Sequence, residues 1–177
     1  MPDILEKTLT TATQYRLLPE GEPCQLIDGE LIYMTAPNIK HQELSVELTL
    51  LLGAYIKSHQ LGKLYHAPCD VFLSENNVYQ PDLLFVAQNR LHIIQPDGIH
   101  GAPDLVIEIL SQSTYYYDAK KKLRNYEKYG VQEFFLIDPE DNEVIAYRLQ
   151  NGKYAEAYRE TGLLDSVVLG AQFRFDP

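Results

Sequence analysis

The sequence predicts an α/β fold, a sheet with helices set among its strands, on three observations. Two stretches, 38–62 and 113–130, carry helical periodicity with recognisable ends. Short apolar runs bounded by turn residues lie before, between and after them. The run PDLVIEIL at 103–110 is apolar almost throughout, the pattern of a strand buried on both faces. At 177 residues, residues 1–177 fit a single domain with its own core. A composition of 45% hydrophobic and 23% charged residues is that of a globular chain and excludes a disordered tail.

The elements follow in order. TTATQYRLL (10–18) suits a short helix with a threonine cap, stopped by Pro19 and the Gly21/Pro23 cluster. Residues 24–34 form two apolar runs around Asp28-Gly29, a dipeptide that favours a tight type I′ hairpin turn. Asn38 caps a long helix whose His41, Leu44, Leu48, Leu51, Leu52 and Tyr55 share one face, with Gly62 ending the segment. Residues 63–73 and 79–86 read as strands joined by the polar turn 74–77 and pairing antiparallel. A long connection over 87–102 leads to PDLVIEIL, and a loop of that length without a helix is often functional. Ser113 or Thr114 caps a second long helix that ends at Gly130, and EFFLID follows as a strand. Residues 143–149 and 153–158 make a closing hairpin around Asn151-Gly152, and the pattern of the tail decides nothing.

The net charge of −10 argues against a large basic surface, because counterion release on nucleic acid needs clustered lysine and arginine. A nuclease of this composition binds weakly, or with help from a metal and a second subunit. Cys24 and Cys69 lack zinc-site spacing and no hydrophobic signal segment opens the chain, so a cytoplasmic home is expected. No stretch approaches the apolar length of a membrane span, and no membrane partner is expected.

Chemistry concentrates in three places. Glu108 stands in an apolar strand, where a carboxylate is costly unless it is paired or holds a cation. By alternation it shares a face with Asp104 and Val106, while Leu105, Ile107 and Ile109 take the other. Asp82 opens the preceding strand behind Pro81, and antiparallel pairing brings the start of that strand beside the end of the other. Two adjacent carboxylates suit a hard cation such as Mg2+; a plain salt bridge for Glu108 is the alternative. On the helix after Glu108, projection at about 100° per residue puts Tyr115, Asp118, Tyr126 and Tyr129 within about 40° of Lys122. Lys120, Lys121 and Lys128 project elsewhere. An inward Lys122 either pairs with Asp118 and snorkels to water or faces the carboxylates, steering water and neutralising phosphate charge. His41, on the inward face of the first long helix, is either a core histidine or an accessory site residue.

These segments together resemble the Uma-type (DUF820-like) family of restriction-endonuclease-like proteins, a branch of the PD-(D/E)XK nuclease superfamily. The likeness runs through QLIDGELIYM, the helix starting at His41, Gln80-Pro81-Asp82, GAPDLVIEILSQST, the Asp118, Lys122, Tyr126 ladder and GVQEFFLIDP. It implies a restriction-endonuclease-like mixed sheet flanked by helices, with additional terminal hairpins. It also implies that Asp82 and Glu108 are metal ligands, and that a lysine completes the site. The superfamily sets that lysine two residues after the second acid, where this chain has Leu110; the family's helix position is matched by Lys122. Gln25 and Gln112 stand where the family usually has glutamate and proline.

The expectation is therefore metal-assisted phosphodiester hydrolysis. Asp82, Glu108 and a backbone carbonyl near Ile109 would hold Mg2+ or Mn2+, Lys122 would act beside them, and His41, Asp118 and Tyr126 would be accessory. The expected partners are nucleic acid, DNA first, and a second copy in a homodimer. Two rivals remain at this stage: an inactive nuclease-fold binding or regulatory module, and a structural oligomer built by edge pairing of the terminal hairpins.

Overall fold

The structure is a computed structural model that describes residues 10–111 and 117–175; the side chains of residues 117–119 are likewise outside the described set. The Ser113 or Thr114 cap, Gln112, Tyr115 and the side chain of Asp118 therefore lie outside the described residues.

Helix α1 (Ala12–Tyr15) is shorter than its sequence pattern, and Thr11 and Gln14 close a reciprocal capping box at its start. Strands β1 (Cys24–Ile27) and β2 (Glu30–Tyr33) form the expected hairpin, with positive φ at both Asp28 and Gly29 as a type I′ turn requires. Helix α2 spans Ile39–Ser58, and the Asn38 side chain accepts a hydrogen bond from His41 N.

The next region departs from the sequence expectation. The segments 63–73 and 79–86 each break in two, giving β3 (Gly62–His66), β4 (Val71–Ser74), β5 (Asn77–Tyr79) and β6 (Leu83–Ala87). β4 pairs with β5 in one sheet and β3 with β6 in another, both antiparallel. The breaks fall at Pro68 and Pro81, residues that cannot donate to a ladder.

The connection over 87–102 is not the bare loop expected from its length. It holds a 3-10 helix (Gln88–Ile93) and a small hairpin of β7 (Ile94–Gln95) and β8 (Gly98–His100). β8 lies parallel to β4. Asp104 secures this excursion, accepting from Ala87 N at 2.8 Å and Arg90 Nη1 at 2.9 Å.

Strand β9 (Leu105–Ile109) is buried along its whole length. A π-helical turn over Tyr117–Lys122 then leads into helix α3 (Leu123–Tyr129), which ends at a left-handed Gly130. Strand β10 (Glu133–Ile137) runs parallel to β9. The hairpin of β11 (Glu143–Gln150) and β12 (Lys153–Thr161) continues the sheet, and the tail forms a further hairpin, β13 (Leu163–Ser166) and β14 (Ala171–Arg174).

The central sheet has the order β12-β11-β10-β9-β6-β3, and the second sheet β2-β1-β5-β4-β8-β7. Leu105, Ile107 and Ile109 pack with Leu44, Leu48 and Leu52 of α2 and with Phe173 and Phe175 of the tail. Val106 faces the opposite core, where Leu84 and Phe134 meet Ile27, Val71 and Tyr79 of the second sheet and Tyr126 of α3. The alternation read from the sequence is thus the division between two cores. The fold is a mixed α/β arrangement flanked by helices, with terminal hairpins, as the resemblance implied.

Candidate active site

Register brings the acids together. β6 and β9 pair Leu83 with Ile107 and Leu84 with Val106, so continuing the ladder sets Asp82 across from Glu108. Asp82 sits on the Pro81 corner, where the chain leaves the second sheet for the central one.

Each Asp82 carboxylate oxygen has its own neighbour. Oδ2 accepts from Ile109 N at 2.7 Å, and Oδ1 lies 3.2 Å from His41 Nε2. The cap at Asn38 fixes the first turn of α2, which aims His41 at Asp82 instead of leaving it among the leucines of the same face. His41 is thus in contact with a candidate ligand.

Glu108 is held from α3. Its Oε1 accepts from Lys122 Nζ at 2.8 Å and from Tyr126 OH at 2.7 Å. The Glu108 and Lys122 side chains are 3% and 2% exposed, so Lys122 does not snorkel to water. Lys122 and Tyr126 stand one α-helical turn apart, as projected. Upstream of Lys122 a π-helical turn winds wider than the α-helix that the projection assumed, and the Tyr115 and Asp118 side chains it placed lie outside the described residues.

A second ring of residues escaped the sequence reading. Asn125 donates to Tyr79 OH at 2.6 Å and Asp28 Oδ1 at 3.1 Å, and Tyr79 OH donates to Asn77 Oδ1 at 2.8 Å. Burial pushes the Tyr79 phenol well above its ordinary range, so it stays a neutral donor. This network clamps α3 to the β1–β2 turn beside Lys122, whose Nζ lies 5.8 Å from the Tyr79 ring centroid. The signal was present, since Asn125 falls at i+3 from Lys122, but an asparagine on a tyrosine stripe carries no chemistry by itself.

Gln25 also has a role that its departure from the family pattern did not suggest. Its Oε1 accepts from Gln80 N at 3.0 Å, and Gln80 Nε2 donates to Asp70 Oδ1 at 2.8 Å. The segment leading to Asp82 is thereby fastened to β1.

Asp82, Glu108, Ile109, Lys122 and His41 all line one cleft of about 1030 Å3, between the first half of α2 and the β1–β2 hairpin with the segment after it. Tyr126 lies behind them, fully buried, and the side chain of Asp118 is outside the described residues. Leu110, at the superfamily's lysine position, packs against the second core. Among the described residues lining the cleft, Lys122 is the lone lysine, and none is an arginine.

The donor chemistry fits a hard cation. A strand residue's N–H and C=O leave by the same edge, so the Ile109 carbonyl faces the Asp82 side, as its N–H does. No group of three or more His, Cys, Asp and Glu stands together among the described residues. Two carboxylates and a carbonyl leave positions for water and phosphate oxygens, a set that suits Mg2+ or Mn2+.

A family model described as "Putative restriction endonuclease", Uma2, matches residues 12–173. The chain belongs to the Uma2 family. The match takes in both sheets, the two acids and α3. An uncharacterized protein of Synechocystis sp. is 26% identical to this Uma2 chain over 134 residues, 73% of this chain and 75% of that one. Among solved structures, one described as a putative nuclease belonging to DUF820, from Anabaena variabilis, has a TM-score of 0.73, covering 90% of each chain at 24% identity. At that identity the likeness shows a shared fold.

Proposed function

We propose that this Uma2 chain, acting as a single domain over 1–177, is a metal-dependent endonuclease that hydrolyses phosphodiester bonds in nucleic acid, DNA first. The observation that carries the reading is the convergence of Asp82 and Glu108 from neighbouring strands with the buried Lys122 in one cleft. A bound Mg2+ or Mn2+ would supply Lewis-acid activation of water and of the phosphate. Asp82, Glu108 and the Ile109 carbonyl would hold it.

The protein's own groups do the rest. His41 and Ile109 N fix the Asp82 carboxylate from two sides, so little reorganisation is needed when charge develops nearby. Lys122 brings the cleft's fixed positive charge to the floor, where it offsets the growing charge on the phosphoryl oxygens. Tyr126 and Lys122 together orient Glu108. Water adds to phosphorus, the ester P–O bond breaks, and the departing oxygen takes up a proton. Two thiols outside any disulfide suit a reducing cytoplasm, and among the described residues no helix is long and apolar enough to cross a membrane.

The test is incubation of purified protein with plasmid, single-stranded DNA and RNA in Mg2+ or Mn2+, beside Asp82→Ala. Cleavage lost in the variant supports the reading. Equal cleavage by both proteins marks a contaminant, and none by either favours a catalytically silent binding module of the same fold.

A further inference from the structure

The reacting groups are recessed. Glu108 and Lys122 are 3% and 2% exposed, and Asp82, the most accessible of the three, is 17% exposed. A phosphate on the outside of a duplex is carried by a stiff rod and meets the outer surface of a protein first. A nucleotide that has left the duplex, or that was never in one, reaches such a floor most directly.

The cleft above that floor has the character of a base site. Its volume of about 1030 Å3 is at the top of the range for drug-sized ligands, roughly 300–1,000 Å3, enough for one or two nucleotides but not for a helix. Along α2 its lining alternates with the core stripe: Leu44, Leu48 and Leu52 turn inward, whereas Gln42, Ser45, Val46 and Leu50 face the cleft. Val46 and Leu50 are 56% and 69% exposed, large apolar side chains on the outer rim of the cleft, where they also border a shallow apolar depression with Ile39, Glu43 and Glu47. Gln42 and Ser45 add an amide and a hydroxyl to the same lining, able to meet base edges.

Charge points the same way. Duplex affinity rests on neutralising many phosphates, and among its described residues this cleft offers one lysine, in a chain of net charge −10. Single strands gain affinity from apolar and stacking contacts with base faces, which survive a shortage of cations.

We propose that the site takes its nucleic acid as a single strand, with a base seated against Val46 and Leu50 and the backbone phosphate lowered to Asp82, Glu108 and Lys122. This rests on the nuclease reading above and narrows its substrate class. A single strand needs one reacting centre, so it requires no homodimer.

Binding and cutting separate the two ideas. Fluorescence anisotropy in Ca2+ compares a labelled oligodeoxynucleotide, the oligoribonucleotide of the same sequence, and the blunt duplex. The expected result is binding of at least one single strand about tenfold or more tighter than the duplex, the DNA and RNA arms saying which sugar is preferred. Val46→Ser with Leu50→Ser should weaken that binding about tenfold. Val167→Ser, an equally exposed apolar residue elsewhere, should leave it unchanged. All three substitutions are at the surface, and unchanged urea midpoints would show that the fold is intact.

Duplex binding as tight as single-strand binding, no binding of either, or full binding by the double variant would overturn the proposal. Equal cutting of duplex and single strand would overturn it while the nuclease reading stands. Tight single-strand binding with no cutting in any metal would remove the nuclease reading and leave the binding preference in place.

Discussion

A carboxylate in an apolar interior is costly unless its charge is matched, and Glu108 and Glu133 are matched in different ways. Glu108 accepts from the Lys122 ammonium and the Tyr126 phenol on the floor of a cleft. Lys122→Met leaves that carboxylate buried without its cation, and the expected loss is about 3 kcal/mol. Lys122→Met with Glu108→Gln removes both charges while Tyr126 keeps an acceptor, so most of the loss should return, measured as urea midpoints at constant slope. Nuclease activity should be lost in both. Glu133, 1% exposed, accepts from Arg148 Nε at 3.1 Å, Val167 N at 2.9 Å, Val168 N at 3.1 Å and the Ser166 hydroxyl. It is not among the residues that line the cleft, and Glu133→Ala should cost about 3 kcal/mol or more with no effect on cutting by the protein that remains folded. From sequence these two glutamates look alike, each in an apolar strand. What separates them is which helix or turn comes back to meet them, a tertiary matter.

At the scale of elements, local turn and cap chemistry was readable and long-range division was not. Asp28-Gly29, Asn151-Gly152 and the Asn38 cap each act within four residues, so the chain states them directly. The splitting of 63–73 and 79–86 depends on two sheets meeting at Pro68 and Pro81, and no periodicity within either segment records it. The π-helical turn is similar: it sets how far Lys122 is rotated toward Glu108, a demand made by the partner and not by the helix. Strand β3, which carries the pairing of β6 and so the placement of Asp82, begins at Gly62 with φ 153. A methyl group there would run into the Val86 carbonyl, a backbone atom that cannot move without breaking the pair. Gly62→Ala should therefore destabilise by about 3 kcal/mol and lower activity in whatever fraction still folds, read by thermal unfolding beside a cleavage assay.

The whole molecule carries 13 tyrosines, and several are buried where their charged form is disfavoured. Burial raises the phenols of Tyr15, Tyr79 and Tyr154 well above their ordinary value of 10, and pushes Tyr158 up to about 12. Below about pH 10 folded and unfolded chains hold the same phenolic protons, and these groups give their full contribution. Above it the unfolded chain releases protons that the folded one keeps, so stability falls as pH rises and is spent for Tyr158 once pH passes about 12. Urea midpoints should decline steadily from about pH 9.5 to 11.5, with the share of the tyrosinate absorbance that belongs to these four phenols held back until unfolding.

The corner at Pro68 and Pro81 has one more consequence. The acids and their lysine belong to the central sheet and the helix upon it, whereas Pro23, Met34 and Pro37 of the cleft come from the β1–β2 hairpin of the other sheet and the strap that follows it. The part that would react and part of what frames its mouth therefore belong to different sheets of one chain, joined at a bend. Grafting a different hairpin and strap onto the same central sheet should change which strands are admitted while the groups beneath keep their spacing, so that family members could diverge in choice of target without reinventing the means of acting on it.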